Sequence, residues 1–352
     1  MRRMSLFLAA LGLASLAALL GLSSMTLAQS FFDGKTMRII VFASPGGGYD
    51  AYARLFARHM KKYIPGEQEI IIQNMPGGGG LRASNYMYNV AKPDGLTFEH
   101  MSRDMYFAQF TGQAGVQYDV TKSIPIGSAT FENRLLWLNK DLAPYQTLKD
   151  MKEAVAAGKK IFIGGTGKGS SAYVLWKMAE ALAPGVKVDF VFGYPGSTEI
   201  HLAVRKGEVM GYGQSKSSFL VQAKDLLKAG KVAILAQIGT PDRKRDPDFA
   251  NAPTFWELAK SKKDRALVGF VAAGSIAGRP FFLPPGVPAD RVKVLREAFM
   301  RAARDPGLMA EAKRIKRPID PVAGEVIEKL YRDVFAVSPE ERREITALVT
   351  GK

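Results

Sequence analysis

Met37-Arg38-Ile39-Ile40-Val41-Phe42-Ala43-Ser44-Pro45-Gly46-Gly47-Gly48-Tyr49-Asp50 is the stretch on which the fold turns. Its first six residues form an apolar, β-branched run of strand length, closed by a proline and three glycines. A helix-compatible stretch begins at Tyr49. The same order recurs twice. Glu69-Ile70-Ile71-Ile72 leads through Asn74-Met75-Pro76-Gly77-Gly78-Gly79-Gly80 into a helical stretch from Leu81. Lys160-Ile161-Phe162-Ile163 leads through Gly164-Gly165-Thr166-Gly167-Lys168-Gly169-Ser170-Ser171 into a helix ending near Leu182. Each turn sets bare backbone N–H groups at the positive end of a helix, a geometry that suits an anion.

Working outward, strand-like runs fall at 37–43, 69–73, 96–101, 134–139, 160–164, 188–192, 232–238 and 267–273. Helix-like runs fall at 50–63, 81–91, 147–157, 171–182, 197–206, 218–229, 290–304 and 323–335. Strands that alternate with helices predict an α/β fold with largely parallel sheets. The 352 residues suffice for two domains, and no low-complexity linker divides them. The reading is a discontinuous first domain of 29–134 plus 235–352, with 135–234 as the second. The crossing segments near 130–136 and 235–240 would form a hinge. Ligands of open α/β sheets sit beyond the strand C-termini, so both domains would turn their glycine loops to one cleft.

The N-terminus reads as an export signal over 1–28. Arg2 and Arg3 precede an apolar run over 6–22, and Thr26-Leu27-Ala28 offers a small-x-small cleavage site before Gln29. Gly12, Ser15 and Gly21 interrupt the run and argue against a membrane anchor. Cysteine is absent, which removes disulfides, a thiolate nucleophile, a cysteine metal site and a lipid anchor on a mature N-terminal cysteine. The expected location is the periplasm. The formal charge of +16 falls to +14 when Arg2 and Arg3 leave with the signal. Basic clusters such as Lys61-Lys62 and Arg243-Lys244-Arg245 are dispersed and lack a nucleic-acid motif, so they read as solvated surface.

Gly46-Gly47-Gly48-Tyr49-Asp50-Ala51 matches the dinucleotide pattern G-x-G-x-x-A, but the next strand ends Gln73-Asn74-Met75-Pro76, with no acid for a ribose. Thr166-Gly167-Lys168-Gly169 is not a phosphate loop, because Phe162 stands where its first glycine belongs and Gly169 where Ser or Thr belongs. Gly213-Gln214-Ser215-Lys216-Ser217 lacks the second glycine of a nucleophile elbow. His59, His100 and His201 are the only histidines, and none has triad context or metal-ligand spacing. No catalytic residue, metal or cofactor is assigned. Tyr194, at a strand end before Gly196, is placed to line a pocket and donate to a carboxylate.

Further marks run in order along the chain: Pro93-Asp94-Gly95-Leu96-Thr97, Tyr194-Pro195-Gly196-Ser197, Arg205-Lys206-Gly207-Glu208-Val209, Ala252-Pro253-Thr254-Phe255-Trp256-Glu257 and Leu283-Pro284-Pro285-Gly286-Val287-Pro288. With the three glycine loops, Asp50 and Arg54, the set resembles the Bug-type periplasmic receptors of tripartite tricarboxylate transporters. Departures are Ser44 in place of a proline, Gly78 in place of an alanine, a lysine missing after Tyr194, and an altered segment over 274–280. The resemblance implies a two-lobed periplasmic binding protein of the Venus flytrap, type II-like kind, each lobe a mixed sheet flanked by helices.

It also implies a small carboxylate ligand, di- or tricarboxylic, aliphatic or aromatic, held between the lobes and delivered to integral-membrane permease subunits by a monomeric receptor. In the family the first two glycine loops cradle one carboxylate, partly through water. By that match the ligand-binding residues are Gly47, Gly48, Tyr49, Asp50, Gly78, Gly79 and Gly80, with Thr166, Gly167, Ser170 and Tyr194 from the second lobe. Asp50 is expected to brace its loop, and neutral donors are expected to grip the anion without a buried ion partner. An exported enzyme on a carboxylated or phosphorylated substrate, and a sensory receptor for a membrane kinase, remain as other readings of the same residues.

Overall fold

The computed structural model describes residues 31–350; the expected export signal lies outside them. The elements in order are β1 (Thr36–Val41), α1 (Gly48–Met60), β2 (Glu69–Asn74), α2 (Leu81–Asn89), β3 (Thr97–His100), α3 (Met105–Phe110), β4 (Ile124–Ser128), β5 (Arg134–Asn139), α4 (Leu148–Ala156), β6 (Phe162–Gly164), α5 (Ser171–Leu182), β7 (Asp189–Val191) and α6 (Ser197–Lys206). There follow β8 (Gly211–Ser215), α7 (Lys216–Gln222), α8 (Lys224–Lys228), β9 (Val232–Gln237), α9 (Phe255–Leu258), α10 (Lys262–Ala277), β10 (Pro280–Leu283), α11 (Ala289–Ala302), α12 (Pro306–Arg314), β11 (Val322–Ala323), α13 (Gly324–Phe335) and α14 (Pro339–Thr350).

Two mixed sheets result. The first has the order β11-β4-β10-β3-β1-β2, the second β7-β6-β8-β5-β9. In the first, β1 lies parallel to β2 and β3, with Ile39 opposite Ile72 and Phe98. Parallel neighbours need crossover helices, and α1 and α2 supply them. The glycine loops therefore emerge at one edge, beyond the strand C-termini. Strand β10 returns antiparallel between β3 and β4. In the second sheet β6 is parallel to β7 and β8, while β5 is antiparallel to β8 and β9.

All six residues of β5 are buried, and alternation sends them to different cores. Leu135 and Trp137 join Ile200 and Phe219 on one face, whereas Leu136 and Leu138 join a layer that also holds Phe282 of the first sheet. Its neighbour Phe281 faces the remaining core with Ile39, Phe56 and Phe299. The layer between the sheets is filled by α5, α10, α13 and α14, and α10 and α14 pack directly on α5.

Residues 267–273 are not a strand but the middle of α10. An apolar run buried on most sides carries the same pattern in either conformation. The helix is fixed from its ends: Ser261 and Asp264 form a reciprocal cap, and Gly278 (φ 57°) terminates it. The chain crosses between sheets before β5 and after β9. These crossings are bonded together, Ile238 N–H donating to Arg134 O (2.9 Å) and Gly239 N–H to Asn133 Oδ1 (2.9 Å).

Candidate functional site

The loop after β1 turns into α1 through Gly46 at φ 85°. Asp50 braces it. Its carboxylate accepts from Gly46 N–H (3.0 Å), Arg54 Nε (2.9 Å) and Asn74 Nδ2 (3.1 Å). Burial alone would raise the pKa of Asp50, but bonds from Arg54, Gly46 and Asn74 outweigh it and hold the carboxyl below its ordinary value.

Beside this loop, between the sheets' loop edges, lies a cavity of about 50 Å³. That is room for a few water molecules. Gly47, Gly48, Tyr49, Ser102, Arg103 and Arg279 line it from the first lobe; Thr166, Ser170, Ser171, Gly196, Ser197, Tyr212, Gln214, Ser215 and Ser218 line it from the second. The N-cap residues of α1, α5 and α6 (Gly47, Ser170 and Gly196) are all in the wall. No aspartate or glutamate is in the lining. A surface built of helix N-termini, hydroxyls and cations suits an anion.

Both arginines are buried. Arg103 donates through Nε (3.0 Å) and its backbone N–H (3.1 Å) to the Tyr49 hydroxyl, and through Nη2 to Ser215 Oγ (2.8 Å). Its Nη1 has no partner among the described residues. Arg279 pairs with Glu132 through Nε (2.9 Å) and donates through Nη2 to Ser218 Oγ (3.0 Å). Its guanidinium lies 4.5 Å from the centre of the Tyr49 ring. Ser170 Oγ and Gln214 Oε1, also in the wall, are likewise buried without partners. Three residues of the wall thus carry a buried polar atom without a partner among the described residues, where buried polar groups are ordinarily paired.

The lobes touch around this cavity. Ser44 N–H donates to Pro195 O (3.1 Å), and Ser44 Oγ to Glu199 Oε2 (2.8 Å). Asp104 receives Arg134 Nη1 at 2.8 Å and the Ser171 hydroxyl. The second and third glycine loops meet backbone to backbone: a Cβ added to Gly167 would sit 2.7 Å from Gly79 N.

A family model described as the receptor of the tripartite tricarboxylate transporter family matches residues 52–329. The chain belongs to that receptor family. The "UPF0065 protein in gbd 5'region" of Cupriavidus necator is 26% identical over 304 residues, 84% of each chain. Among solved structures, MatC from Rhodopseudomonas palustris with bound malate superposes with a TM-score of 0.68 at 22% identity, over 89% of this chain and all of that one. A second R. palustris protein, Rpa4515 with adipate, gives 0.65 at 20% identity, over 90% of this chain and 98% of that one. At such identities the likeness concerns the fold, the two-lobed form of periplasmic binding proteins.

Of the residues that the sequence singled out, this family member brings Gly47, Gly48, Tyr49, Thr166 and Ser170 together in the cavity wall. Gly78, Gly79, Gly80 and Gly167 are not in the wall; Gly79 and Gly167 lie at the contact between loops. Asp50 is spent within its own loop, and the Tyr194 hydroxyl points to Glu208 Oε2 at 3.4 Å. Beside the neutral donors expected from the sequence, the wall holds two buried cations, Arg103 and Arg279. Arg279 falls within 274–280, the segment that departs from the family pattern; Arg103 carries no local signal.

The histidines stand outside the wall. His201 is held near Gln214 (2.7 Å), and burial pushes its pKa down to about 4. His59 on α1 bonds to Glu311 (2.8 Å). Burial also holds His100 well below its ordinary value. Among the described residues there is no group of three or more potential metal ligands and no helix long and apolar enough to cross a membrane.

Proposed function

We propose that this receptor captures a di- or tricarboxylate in the cavity between its lobes and passes it to the integral-membrane permease of its transporter. The observation that carries the reading is an acid-free cavity between the lobes, walled by helix N-termini and buried guanidinium groups. Malate and adipate, bound in the two structural relatives, are carboxylates of this class. Gly47, Gly48, Tyr49, Thr166 and Ser170 are the ligand-facing residues in this reading. The lobes are organised by the two sheets, 29–134 with 235–352 against 135–234, and the bonded crossings serve as the hinge. The protein works as a monomer in the periplasm after removal of residues 1–28.

A ligand that bridges the lobes stabilises the closed form by contacts that the open form lacks. Charge-assisted bonds of ~1.5–3 kcal/mol each make micromolar affinity, ~8 kcal/mol, attainable after ordering costs. A thermal-shift screen of residues 29–352 against carboxylates, amines and neutral sugars tests the reading, because native-state binding raises Tm. At least one di- or tricarboxylate should shift the transition. Shifts with amines or sugars alone would overturn the proposal, and steady turnover of a bound compound would replace it with an enzyme.

A further inference from the structure

Given the transporter reading above, on which this rests, we propose that a pocket at the C-terminal end of α12, separate from the interlobe cavity, docks an acidic segment of the permease's external face, with Arg317 as its anchor.

The pocket is open and holds about 340 Å³. Lys313, Lys316 and Arg317 line it beside Met309, Pro318 and Ile319, and no acid is in its wall. The acids nearby in sequence do not serve it. Asp305 is paired with Lys62 and takes the Tyr63 hydroxyl (2.6 Å), Glu311 is paired with His59 and Arg58, and Asp320 stands outside the wall.

Arg317 is only 4% exposed. Its Nη1 donates to the Ser217 carbonyl (2.7 Å), which is a dipole and not a counter-ion. Nε is buried without a partner among the described residues; Nη2 also lacks one and is not fully buried. Glu132 acts on this guanidinium from a distance and is itself paired with Arg279. Burial and the Arg279 charge hold the pKa of Arg317 below its ordinary value. Buried cations are ordinarily paired, and an anion entering the pocket supplies the missing partner.

Lys316 is the second sign. Helix α12 ends in a turn where Lys316 N–H donates to Lys313 O (3.2 Å) and Arg317 N–H to Ala312 O (2.8 Å). Such a turn needs a left-handed residue, ordinarily glycine. Helix α6 closes with the same pair of bonds around Gly207 at φ 77°. On α12 a lysine holds the position at φ 56°. The negative end of a helix attracts cations, which accounts for Lys313 but not for a lysine under strain beside a buried arginine.

The wall also selects its occupant. Exposed Met309 beside the cations suits a carboxylate side chain with an aliphatic neighbour. A lipid surface would meet the exposed Lys313 and Lys316 but not the recessed Arg317.

Surface plasmon resonance on residues 29–352 tests the site, with succinate, malate and tricarballylate supplied together. One surface carries the permease in lipid nanodiscs, the other empty nanodiscs containing anionic phosphatidylglycerol. The wild type should bind the permease discs more tightly, and less so as salt rises. Arg317→Gln should weaken this binding about 10- to 150-fold, and Arg317→Lys should recover part of it. Lys313→Gln and Lys316→Gly should each weaken it about 2- to 5-fold. Lys149→Gln, on the exposed surface of α4, is the charge control and should leave it unchanged. Lys316→Gly separates docking from folding: glycine relieves the left-handed strain, so Tm should hold or rise while affinity falls. Full affinity in Arg317→Gln and Lys316→Gly, or an equal loss in Lys149→Gln, would overturn the proposal. Equal wild-type binding to loaded and empty discs would assign the surface to lipid and overturn it too. Should Arg317→Gln not fold, the lysine variants decide. Absence of any wild-type binding would instead sink the transporter reading, and the docking site with it.

Discussion

Gly167→Ala tests whether closure of the lobes controls affinity. A Cβ at this position would lie 2.7 Å from Gly79 N and 2.8 Å from the Gly78 carbonyl carbon, whereas ordinary contact begins at 3.4 Å. The obstructing atoms are backbone, so no side chain can swing aside. The loops would have to part by about 0.7 Å. Overpacking of this kind costs ~1–3 kcal/mol, and here only the closed form bears it. Ligand affinity should therefore fall about 5- to 150-fold. A second effect is separable. At φ +158° alanine is strained in open and closed forms alike, which lowers Tm without changing affinity. Gly158→Ala is the control, because it has φ +79° and nothing within 4 Å. Calorimetry with the tightest of succinate, malate and tricarballylate reads the affinity, and small-angle scattering reads compaction on binding. Wild-type affinity in Gly167→Ala, or an equal loss in Gly158→Ala, would refute the reasoning.

Asp104→Ala leaves the fully buried Arg134 uncompensated and should cost about 3–5 kcal/mol in urea unfolding. Glu99→Gln should stabilise the protein increasingly as pH rises from 5 to 8. Burial raises the folded-state pKa of Glu99 to about 8, so the folded form holds a proton that the unfolded chain releases near its ordinary value, and wild-type stability falls across that window. Paired melting curves of the two proteins read the difference, which should vanish near pH 4. Asp50→Ala should cost about 1–2 kcal/mol at pH 7 through loss of the Gly46, Arg54 and Asn74 bonds. Because folding lowers this pKa, the wild-type advantage exists above the ordinary aspartate value and disappears as pH falls through the lower folded one. Thermal melts of both proteins from pH 7 to 2 check it.

The sequence carried the β1–glycine–α1 unit openly, because a strand-length apolar run, a proline and three glycines are each local signals. Strand β8 was silent for the opposite reason. Gly211-Tyr212-Gly213-Gln214-Ser215 looks like a turn, yet it is buried throughout. A Cβ on Gly211 would overlap Trp137 O, and one on Gly213 would lie 3.0 Å from Ala172 Cα. Glycine there serves close approach across a sheet, which only the assembled fold reveals. Five of the eleven candidate ligand residues line one cavity because their loops leave parallel strands at the same edge. Arg103 and Arg279 escaped because isolated arginines read as surface, and only tertiary packing buried them.

The apolar layer between the sheets has a consequence for how the molecule comes apart. Phe107, Phe110 and Phe270 share it with Val174 and Trp176, and Tyr331 and Ile345 close it from the chain's last helices. Each half has a core of its own, but this third layer is completed only by residues of both. A fragment ending at residue 234 would lack α10, α13 and α14 and bare the surface that they cover. Parting the two halves bares apolar surface of both, so burial of this layer opposes their separation.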